Sequence, residues 1–151
     1  MQISTGCMSL CLFIADRCSG LSFGHKEADM TDAERRVVAI VDDDLAVRES
    51  LRFLLETIGC PVEAFATADD FLHSRTDHPV CLIVDHNMPH MTGIELVERL
   101  RVGGASIPVL LITGAPSPFI VARAAELGIS RVLGKPVAEQ DLLDFIDAAR
   151  A

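Results

Sequence analysis

One stretch restricts the possible folds of this chain more than any other. It runs from Val80 to Pro89 and reads Val-Cys-Leu-Ile-Val-Asp-His-Asn-Met-Pro. An apolar run without interruption, such as the part that leads into Asp85, predicts a strand buried on both faces, as in parallel sheets covered by helices. In open sheets of that kind, ligands bind just beyond the carboxyl ends of the strands. Asp85 is therefore expected at a binding site.

Strand and helix patterns alternate along the rest of the chain. Apolar runs predict five strands, at Val37–Val41, Val62–Ala66, Val80–Val84, Pro108–Ile112 and Ile129–Leu133. Helical spacing and capping signals predict five helices, at about 45–58, 67–72, 92–101, 117–127 and 138–149. Right-handed crossovers then give an α/β fold, a flavodoxin-like doubly wound parallel sheet in the order 2-1-3-4-5 with helices on both faces.

Polar residues mark the starts of several helices. Asp44 is expected to cap the first helix, and Ser117 to cap the fourth, where Pro118 occupies the first turn. Thr92 and Glu95 have the spacing of a capping box. Thr67 to Asp70 resembles such a box, with Asp in place of Glu. These signals place the helices independently of the apolar periodicity.

Charge and hydropathy exclude two classes of protein. The formal net charge of −9 argues against a nucleic-acid-binding surface, which needs basic groups to neutralise phosphates. No apolar run approaches the roughly 20 residues of a membrane helix. The cysteines have no close Cys-x-x-Cys pair, which favours reduced thiols in a cytoplasmic protein over a zinc site. They are Cys7, Cys11, Cys18, Cys60 and Cys81. Cys81, inside an apolar run, is expected in the core.

The beginning of the chain differs from the remainder. Residues 1–29 contain Ser, Gly and three Cys without a clear period, and Arg17 and Lys26 follow the apolar part rather than precede it. That order argues against a secretory signal. We predict that residues 1–35 form a disordered or loosely packed extension, with a functional tail as the alternative. Residues 36–151 are then one domain.

Polar side chains follow four of the predicted strands. These are Asp42 and Asp43 after the first strand, Asp85 after the third, Thr113 after the fourth and Lys135 after the fifth. In a sheet of order 2-1-3-4-5 the first and third strands are neighbours at the switch point. All of these side chains are therefore expected to converge on one crevice.

Each member of this set has a chemical reason to be there. Clustered carboxylates repel one another unless a cation joins them, and Mg²⁺ prefers oxygen ligands. Asp43 and Asp85 are predicted as direct ligands, Asp42 as a ligand through water, and the backbone carbonyl of Asn87 as a further oxygen. Such an ion cancels the repulsion between a carboxylate and a phosphoryl group.

Lys135 offers a positive charge to phosphoryl oxygens, and the Thr113 hydroxyl offers a hydrogen bond. Gly114 leaves room for the group to enter. The set fits a phosphoryl acceptor with Asp85 as the nucleophile.

Simpler interpretations exist for each residue taken singly. The Asp42–Asp44 run alone favours a solvated turn whose last member caps a helix. Lys135 could be an ordinary surface lysine, and Thr113 a residue that satisfies a loop amide. His86 and His90 are interpreted as exposed loop histidines, because an oxygen-rich site suits Mg²⁺ better than zinc. Only the convergence favours a functional role.

Four motifs in this order and spacing resemble the receiver domain of two-component response regulators. They are Val-Asp-Asp-Asp at 41–44, Val-Asp-His-Asn-Met-Pro at 84–89, Ile-Thr-Gly at 112–114 and Gly-Lys-Pro at 134–136. The resemblance covers about Arg36 to Ala149. It implies that Asp85 accepts a phosphoryl group from a histidine kinase or a histidine phosphotransfer protein. It also implies that Asp42 and Asp43 hold Mg²⁺, that Thr113 is the switch hydroxyl and that Lys135 contacts the phosphoryl group.

One position departs from the family pattern. Receiver domains usually carry Tyr or Phe three residues before the lysine, where the ring swings inward on activation, and here that position is Val132. The family also commonly carries a DNA-binding or enzymatic output domain after the fifth helix, and this sequence shows none, so we expect a stand-alone receiver. Its partner-binding or dimer face would be the fourth helix, fifth strand and fifth helix.

Three functions compete at this stage. The first is a phosphorylation-controlled switch, or a phosphate shuttle or sink with the same acceptor. The second is a degenerate receiver that acts only as an interaction module, which Val132 leaves open. The third is a phosphatase working through an aspartyl phosphate, which normally needs a general acid and a substrate-binding cap that the sequence does not offer. A non-enzymatic phosphoacceptor is the preferred interpretation.

Overall fold

A computed structural model describes residues 37–76 and 78–151 of the chain. The predicted extension, residues 1–35, lies outside these residues, as do Cys7, Cys11 and Cys18. Within the described residues, no helix combines the length and the apolar character needed to cross a membrane.

Strands and helices alternate strictly along the described residues, as the sequence predicts. The strands are β1 (Val38–Val41), β2 (Val62–Phe65), β3 (Cys81–Asp85), β4 (Val109–Thr113) and β5 (Arg131–Gly134). The helices are α1 (Leu45–Thr57), α2 (Ala68–Leu72), α3 (Gly93–Val102), α4 (Pro118–Glu126) and α5 (Glu139–Arg150).

The strands form one parallel sheet in the order β2-β1-β3-β4-β5, which confirms the predicted topology. Central β3 is buried along its whole length, in agreement with its unbroken apolar sequence. Its neighbours are β1 and β4, and the last residue of β3, Asp85, is in register with Ile112. Because all strands run in one direction, their carboxyl ends lie at one edge of the sheet.

Each face of the sheet has its own apolar layer, because alternate residues of a strand point to opposite faces. On one face, Ala39, Leu82 and Leu111 belong to a cluster that includes buried residues of α2, α3 and α4. On the other face, Ile40 and Ile83 belong to a cluster completed by α1 and α5. The two layers make β1, β3 and β4 a rigid support for whatever follows them.

The helix starts agree with the capping signals. The Asp44 side chain accepts hydrogen bonds from the amides of Ala46 and Val47, and the Ser117 side chain accepts one from Ile120. Thr92 and Glu95 form both hydrogen bonds of a capping box. At α2 only Thr67 acts as a cap, by accepting from the amide of Asp70. The shorter Asp side chain lacks the reach of Glu to complete a box.

One strand is displaced from its predicted position. The apolar pattern predicts β5 at Ile129–Leu133, whereas the strand is Arg131–Gly134. Ile129 is buried, but its amide is bonded to the carbonyl of Ala124 and continues the turn after α4. Burial, which the pattern detects, and pairing in the sheet therefore begin at different residues.

Candidate functional site

The carboxyl ends of β1 and β3 bring three carboxylates together. Asp42 and Asp43 follow β1, and Asp85 ends β3, the neighbouring strand. One carboxylate oxygen from each residue lies within 4.8 Å of the other two. Asp42 and Asp85 are buried, whereas Asp43 is exposed. The predicted convergence of these three residues is present.

Burial and mutual repulsion both act on this cluster. Burial raises the pKa of Asp42, and the nearby charges of Asp85 and Asp43 act in the same direction. A hydrogen bond from the Asp44 amide to Asp42 Oδ1, 2.8 Å long, and the positive charge of Lys135 oppose that rise. The cluster therefore attracts a further positive charge.

Lys135 lies at the centre of the same edge. Its Nζ is 3.0 Å from Asp85 Oδ1 and 3.8 Å from Asp42 Oδ2. Burial by itself lowers the pKa of the Lys135 ammonium, but its contact with Asp85 and the nearby acidic charges outweigh burial and raise that pKa. The side chain is 35% exposed, so the charge faces both the carboxylates and the solvent.

Thr113 completes the edge from β4. It is fully buried, and its backbone carbonyl accepts a hydrogen bond from the Lys135 amide at 2.9 Å. Its Oγ1 accepts from the amide of Ala115 at 3.3 Å, which leaves the hydroxyl proton available for donation. The threonine thus satisfies a loop amide, as the simpler interpretation predicts, and still has a donor to offer.

The loop after β3 lies across from the loop after β4. A methyl group placed on Gly114 would be 3.7 Å from Asn87 Nδ2 and would meet no closer atom, so this side of the crevice is open. Within residues 37–76 and 78–151, no backbone amide donates to the carbonyl of Asn87. This is compatible with the predicted use of that carbonyl as a ligand.

The donor set fits a hard divalent cation. All of its charged atoms are carboxylate oxygens, the type that Mg²⁺ prefers. Among the described residues, no group forms a well-aligned hydrogen bond with buried Asp85 Oδ1, and its contact with Lys135 is an ion pair. Buried polar atoms normally have partners, so an oxygen in this condition is suited to a ligand.

The two histidines of the loop differ from each other. His90 is exposed, as expected, and has a positive φ of 68°. His86 is half-buried, so its prediction as an exposed residue is wrong. It directly follows a strand that is buried on both faces, and its Nδ1 is buried without a hydrogen-bond partner in the described part of the chain.

Val132 is half-buried in β5 and packs against the apolar layer that contains Leu111 and Ala124. An aliphatic side chain therefore occupies the position where the resemblance implies an aromatic one.

Sequence reasoning missed the role of Gly93, the first residue of α3. A methyl group on Gly93 would lie 2.7 Å from Leu111 Cδ1 and 2.8 Å from the carbonyl oxygen of Asp85. Glycine is therefore required for α3 to approach the end of β3 this closely. The available signal was a glycine at the first helical position, where other residues have higher helix propensity.

Sequence reasoning also missed Arg48, in the first half of α1. Its Nη1 donates a hydrogen bond of 2.7 Å to the backbone carbonyl of Asp42. The spacing of six residues gives no helical or strand signal for such a contact. It depends on how the chain turns between β1 and α1.

A mainly apolar cavity of about 590 Å³ opens beside Lys135. Ala46, Val47 and Leu51 of α1 line one side, and Pro136 and Val137 line the other. Further along α1, the Phe53 side chain is 75% exposed. The charged edge of the sheet thus adjoins an apolar surface.

The fold and this site define a class of protein: a doubly wound domain with an acidic cluster and a lysine at the carboxyl edge of its sheet. A family model described as the response regulator receiver domain matches residues 38–147. The chain belongs to this family.

Two curated relatives illustrate the match. Nodulation protein W of Bradyrhizobium diazoefficiens is 34% identical over 127 residues, which are 83% of this chain and 54% of the relative. Response regulator protein TodT of Pseudomonas putida is 37% identical over 114 residues, 75% of this chain and 50% of the relative. The chain thus spans about half the length of the curated relatives it matches.

Solved structures agree. The structure of FixJ-N has a TM-score of 0.69 and 32% identity, and the match covers 76% of this chain and 92% of that one. The structure of the response regulator StyR has a TM-score of 0.69 and 43% identity, with 76% of this chain and 58% of that one covered. The family resemblance that the sequence motifs indicated is confirmed.

Proposed function

We propose that residues 36–151 form a phosphoacceptor domain in which Asp85 receives a phosphoryl group from a histidine kinase or a histidine phosphotransfer protein. The observation that carries this proposal is the convergence of Asp85, Asp42, Asp43 and Lys135 at one edge of the sheet. Asp85 Oδ1 adds support, because its contact among the described residues is the ion pair with Lys135, which leaves a lone pair for attack on phosphorus.

The transfer is a substitution at phosphorus. An oxygen of Asp85 forms a bond to phosphorus while the phosphorus–nitrogen bond of the donor phosphohistidine breaks, and the bonding pair returns to the imidazole nitrogen. Asp42, Asp43, Asp85 and the Asn87 carbonyl would hold Mg²⁺. When bound, this ion supplies positive charge that reduces the repulsion between the carboxylate and the phosphoryl oxygens.

Lys135 and Thr113 act on the product. After transfer, the Lys135 ammonium, already 3.0 Å from Asp85 Oδ1, pairs with a phosphoryl oxygen. The Thr113 hydroxyl donates a hydrogen bond to another oxygen of the group. Because the Thr113 carbonyl is bonded to the Lys135 amide, a shift of Thr113 also affects the loop after β5.

The apolar cavity beside Lys135 is the approach for a protein donor. Its lining on α1 and on the loop after β5 is mainly apolar and lies next to the charged edge. A donor that covers this cavity excludes water from the ion pairs and thereby strengthens them. The surface that binds the donor therefore lies next to Asp85.

The output is a change of the surface formed by α4, β5 and α5, which a downstream protein or a second copy then binds. Val132 packs there in place of an aromatic residue, so the signal from Thr113 passes through α4. The same acceptor chemistry would serve a phosphate sink. Multi-turnover catalysis is not part of the proposal.

Val132 also favours a second candidate, an interaction module that does not respond to phosphate. The two functions differ in one measurement. With Mg²⁺ and acetyl phosphate, the proposed function requires the domain to gain the mass of one phosphoryl group, and Asp85→Asn to abolish the gain. Intact-protein mass spectrometry reads both outcomes.

Asp44→Asn is the matched control, because Asp44 caps α1 and lies in the same acidic run. It should still gain the phosphoryl group. Unchanged mass of the unmodified domain, with phosphotransfer also absent across a panel of histidine kinases, would favour the interaction module.

A further inference from the structure

Arg48 contacts the acidic loop from the neighbouring helix. Its side chain is half-buried on α1, and Nη1 donates to the carbonyl oxygen of Asp42 at 2.7 Å. This is the carbonyl of the peptide group that joins Asp42 to Asp43. A hydrogen bond to that oxygen fixes the orientation of the peptide and, with it, the directions in which the two side chains leave the backbone.

The other polar groups of Asp42 are also engaged. Its amide donates to the carbonyl of Phe65 at 3.2 Å, and its Oδ1 accepts from the Asp44 amide at 2.8 Å. Arg48 therefore adds a third hydrogen bond to the two that already hold Asp42. Adjacent carboxylates repel one another, and such a loop without these contacts would spread apart.

We propose that Arg48 is a positioning residue, which holds the loop carrying Asp42 and Asp43 in a shape ready for a divalent cation. This inference rests on the proposed function, in which these residues hold Mg²⁺. It assigns to Arg48 no contact with the ion. A ligand set that is held in place before binding loses less conformational freedom when the ion arrives, which increases affinity.

The direction in which the affinity for Mg²⁺ changes distinguishes this role from a purely electrostatic effect of the Arg48 charge. Arg48 carries a positive charge close to a cation site. If that charge were its whole contribution, neutralising it would remove a repulsion and strengthen Mg²⁺ binding. If Arg48 positions the loop, the same substitution weakens binding. Only the second outcome agrees with the proposal.

The experiment is calorimetric titration of the unphosphorylated full chain with MgCl₂ at fixed ionic strength. For Arg48→Gln we expect the Kd for Mg²⁺ to increase by about 10-fold, the lower end of the range for outer-sphere partners of metal ligands. A Kd that is unchanged or lower would overturn the proposal. The thermal unfolding midpoint without Mg²⁺ is measured in parallel.

Arg52→Gln is the matched control. Arg52 lies one turn further along α1 and carries the same charge, but its ion pairs are with Glu49 and Glu56 on the helix surface. Its substitution should leave the Kd for Mg²⁺ within about twofold of the original value. An equal loss in both variants would show a general effect of charge or of α1, and would overturn the proposal.

Arg48→Lys serves as the second variant. It keeps the charge and the aliphatic stem and can donate one hydrogen bond, so it should recover part of the lost affinity. If Arg48→Gln unfolds, Arg48→Met carries the test, because it keeps most of the aliphatic stem but cannot donate a hydrogen bond; a Kd equal to that of the original chain would then contradict the proposal. If the original chain itself bound no Mg²⁺, the proposed function would fail together with this inference. Normal binding by the original chain and by Arg48→Gln would reject only the inference.

Discussion

At the carboxyl end of the sheet the domain buries Asp42 and Asp85 beside Lys135, and at the amino end it buries Cys60 and Cys81 beside Arg150. Each group contains two buried side chains that can lose a proton, and one basic residue. At the amino end, Arg150 Nη1 donates to Cys60 Sγ at 3.0 Å. At the carboxyl end, Lys135 Nζ contacts Asp85 Oδ1 at the same distance.

The difference lies in the charge of the buried acids. Burial raises the pKa of the Cys81 thiol to about 12, the proximity of Cys60 adds to the rise, and Arg150 opposes it. The thiol is therefore neutral and packs as a small apolar group. Aspartates ionise much more readily than thiols, and one lysine faces three of them. The amino end therefore has no buried negative charge for a cation to balance, whereas the carboxyl end needs a further cation.

The largest loss of stability is expected from a substitution at the first residue of α3. Gly93→Ala would place a methyl group 2.8 Å from the Asp85 carbonyl, which belongs to the rigid end of β3. We expect the free energy of unfolding to fall by about 2–3 kcal/mol, as for overpacked sites. Urea unfolding followed by circular dichroism measures this, because the chain has neither Trp nor Tyr.

Gly103→Ala, at the opposite end of α3, is the control. A methyl group there would lie 3.5 Å from the carbonyls of Arg99 and Leu100, an ordinary contact, and the residue has a right-handed φ of −74°. Its effect should stay within about 1 kcal/mol of zero. Equal losses for both variants would mean that a methyl group is unfavourable at either end of α3, and that the close approach to Asp85 does not determine the result.

The next largest loss of stability is expected at Lys135, and Arg150 provides the comparison. Lys135→Met leaves the buried carboxylates without their nearest cation, so we expect the free energy of unfolding at pH 7, without Mg²⁺, to fall by about 1–2 kcal/mol. The value is below that for a fully buried pair because the ammonium is 35% exposed. Thermal unfolding with and without Mg²⁺ should show that the ion stabilises this variant more than the original chain.

Arg150→Met is the corresponding change at the amino end. Since the Cys81 thiol there is neutral and Arg150 donates to a sulfur atom rather than to a carboxylate, the loss should be smaller than for Lys135→Met, below about 1 kcal/mol. A larger loss for Arg150→Met would contradict the comparison, because it would show that charge compensation matters more at the thiol end.

The last effect is a pH dependence at the amino end. Between pH 9 and 12 an unfolded Cys81 ionises while the folded thiol keeps its proton. The unfolded state is then favoured, so the free energy of unfolding falls as the pH rises through this range. Under reducing conditions, the decrease between pH 8 and pH 10 should be greater for the original chain than for Cys81→Ala, by roughly 1 kcal/mol. If the free energy of unfolding fell equally with pH in both proteins, the raised pKa of Cys81 would be contradicted.

Much of the fold could be predicted because local patterns and tertiary structure agree. The double burial of β3 appears as an unbroken apolar run, and the caps at Asp44, Thr92 and Ser117 are visible as local motifs. The convergence of Asp42, Asp43 and Asp85 followed from strand order, because β1 and β3 are neighbours. Lys135 follows β5 and its side chain crosses the end of β4 to contact Asp85. In a parallel sheet, residues that end neighbouring strands must meet.

The rest depends on contacts between elements that a local pattern does not encode. The short distance between Gly93 and the end of β3 is set by how closely α3 packs on the sheet. The contact of Arg48 with Asp42 is set by the turn between β1 and α1. The half-burial of His86 arises from its surroundings rather than from its own polarity. Roles at the site, including those of Thr113 and Asn87, stay predictions until phosphotransfer and Mg²⁺ binding are measured.

The location of Asp85 as the last residue of a fully buried strand has a consequence for the proposed reaction. The residue is held in register with β4, and the next amide, that of His86, is bonded to Ile112 at 2.7 Å. The backbone of the proposed nucleophile is therefore fixed by the sheet and cannot move towards the donor. The donor must therefore bring its phosphohistidine to Asp85. Discrimination between donors would then depend on which of them can deliver a phosphohistidine to a stationary target.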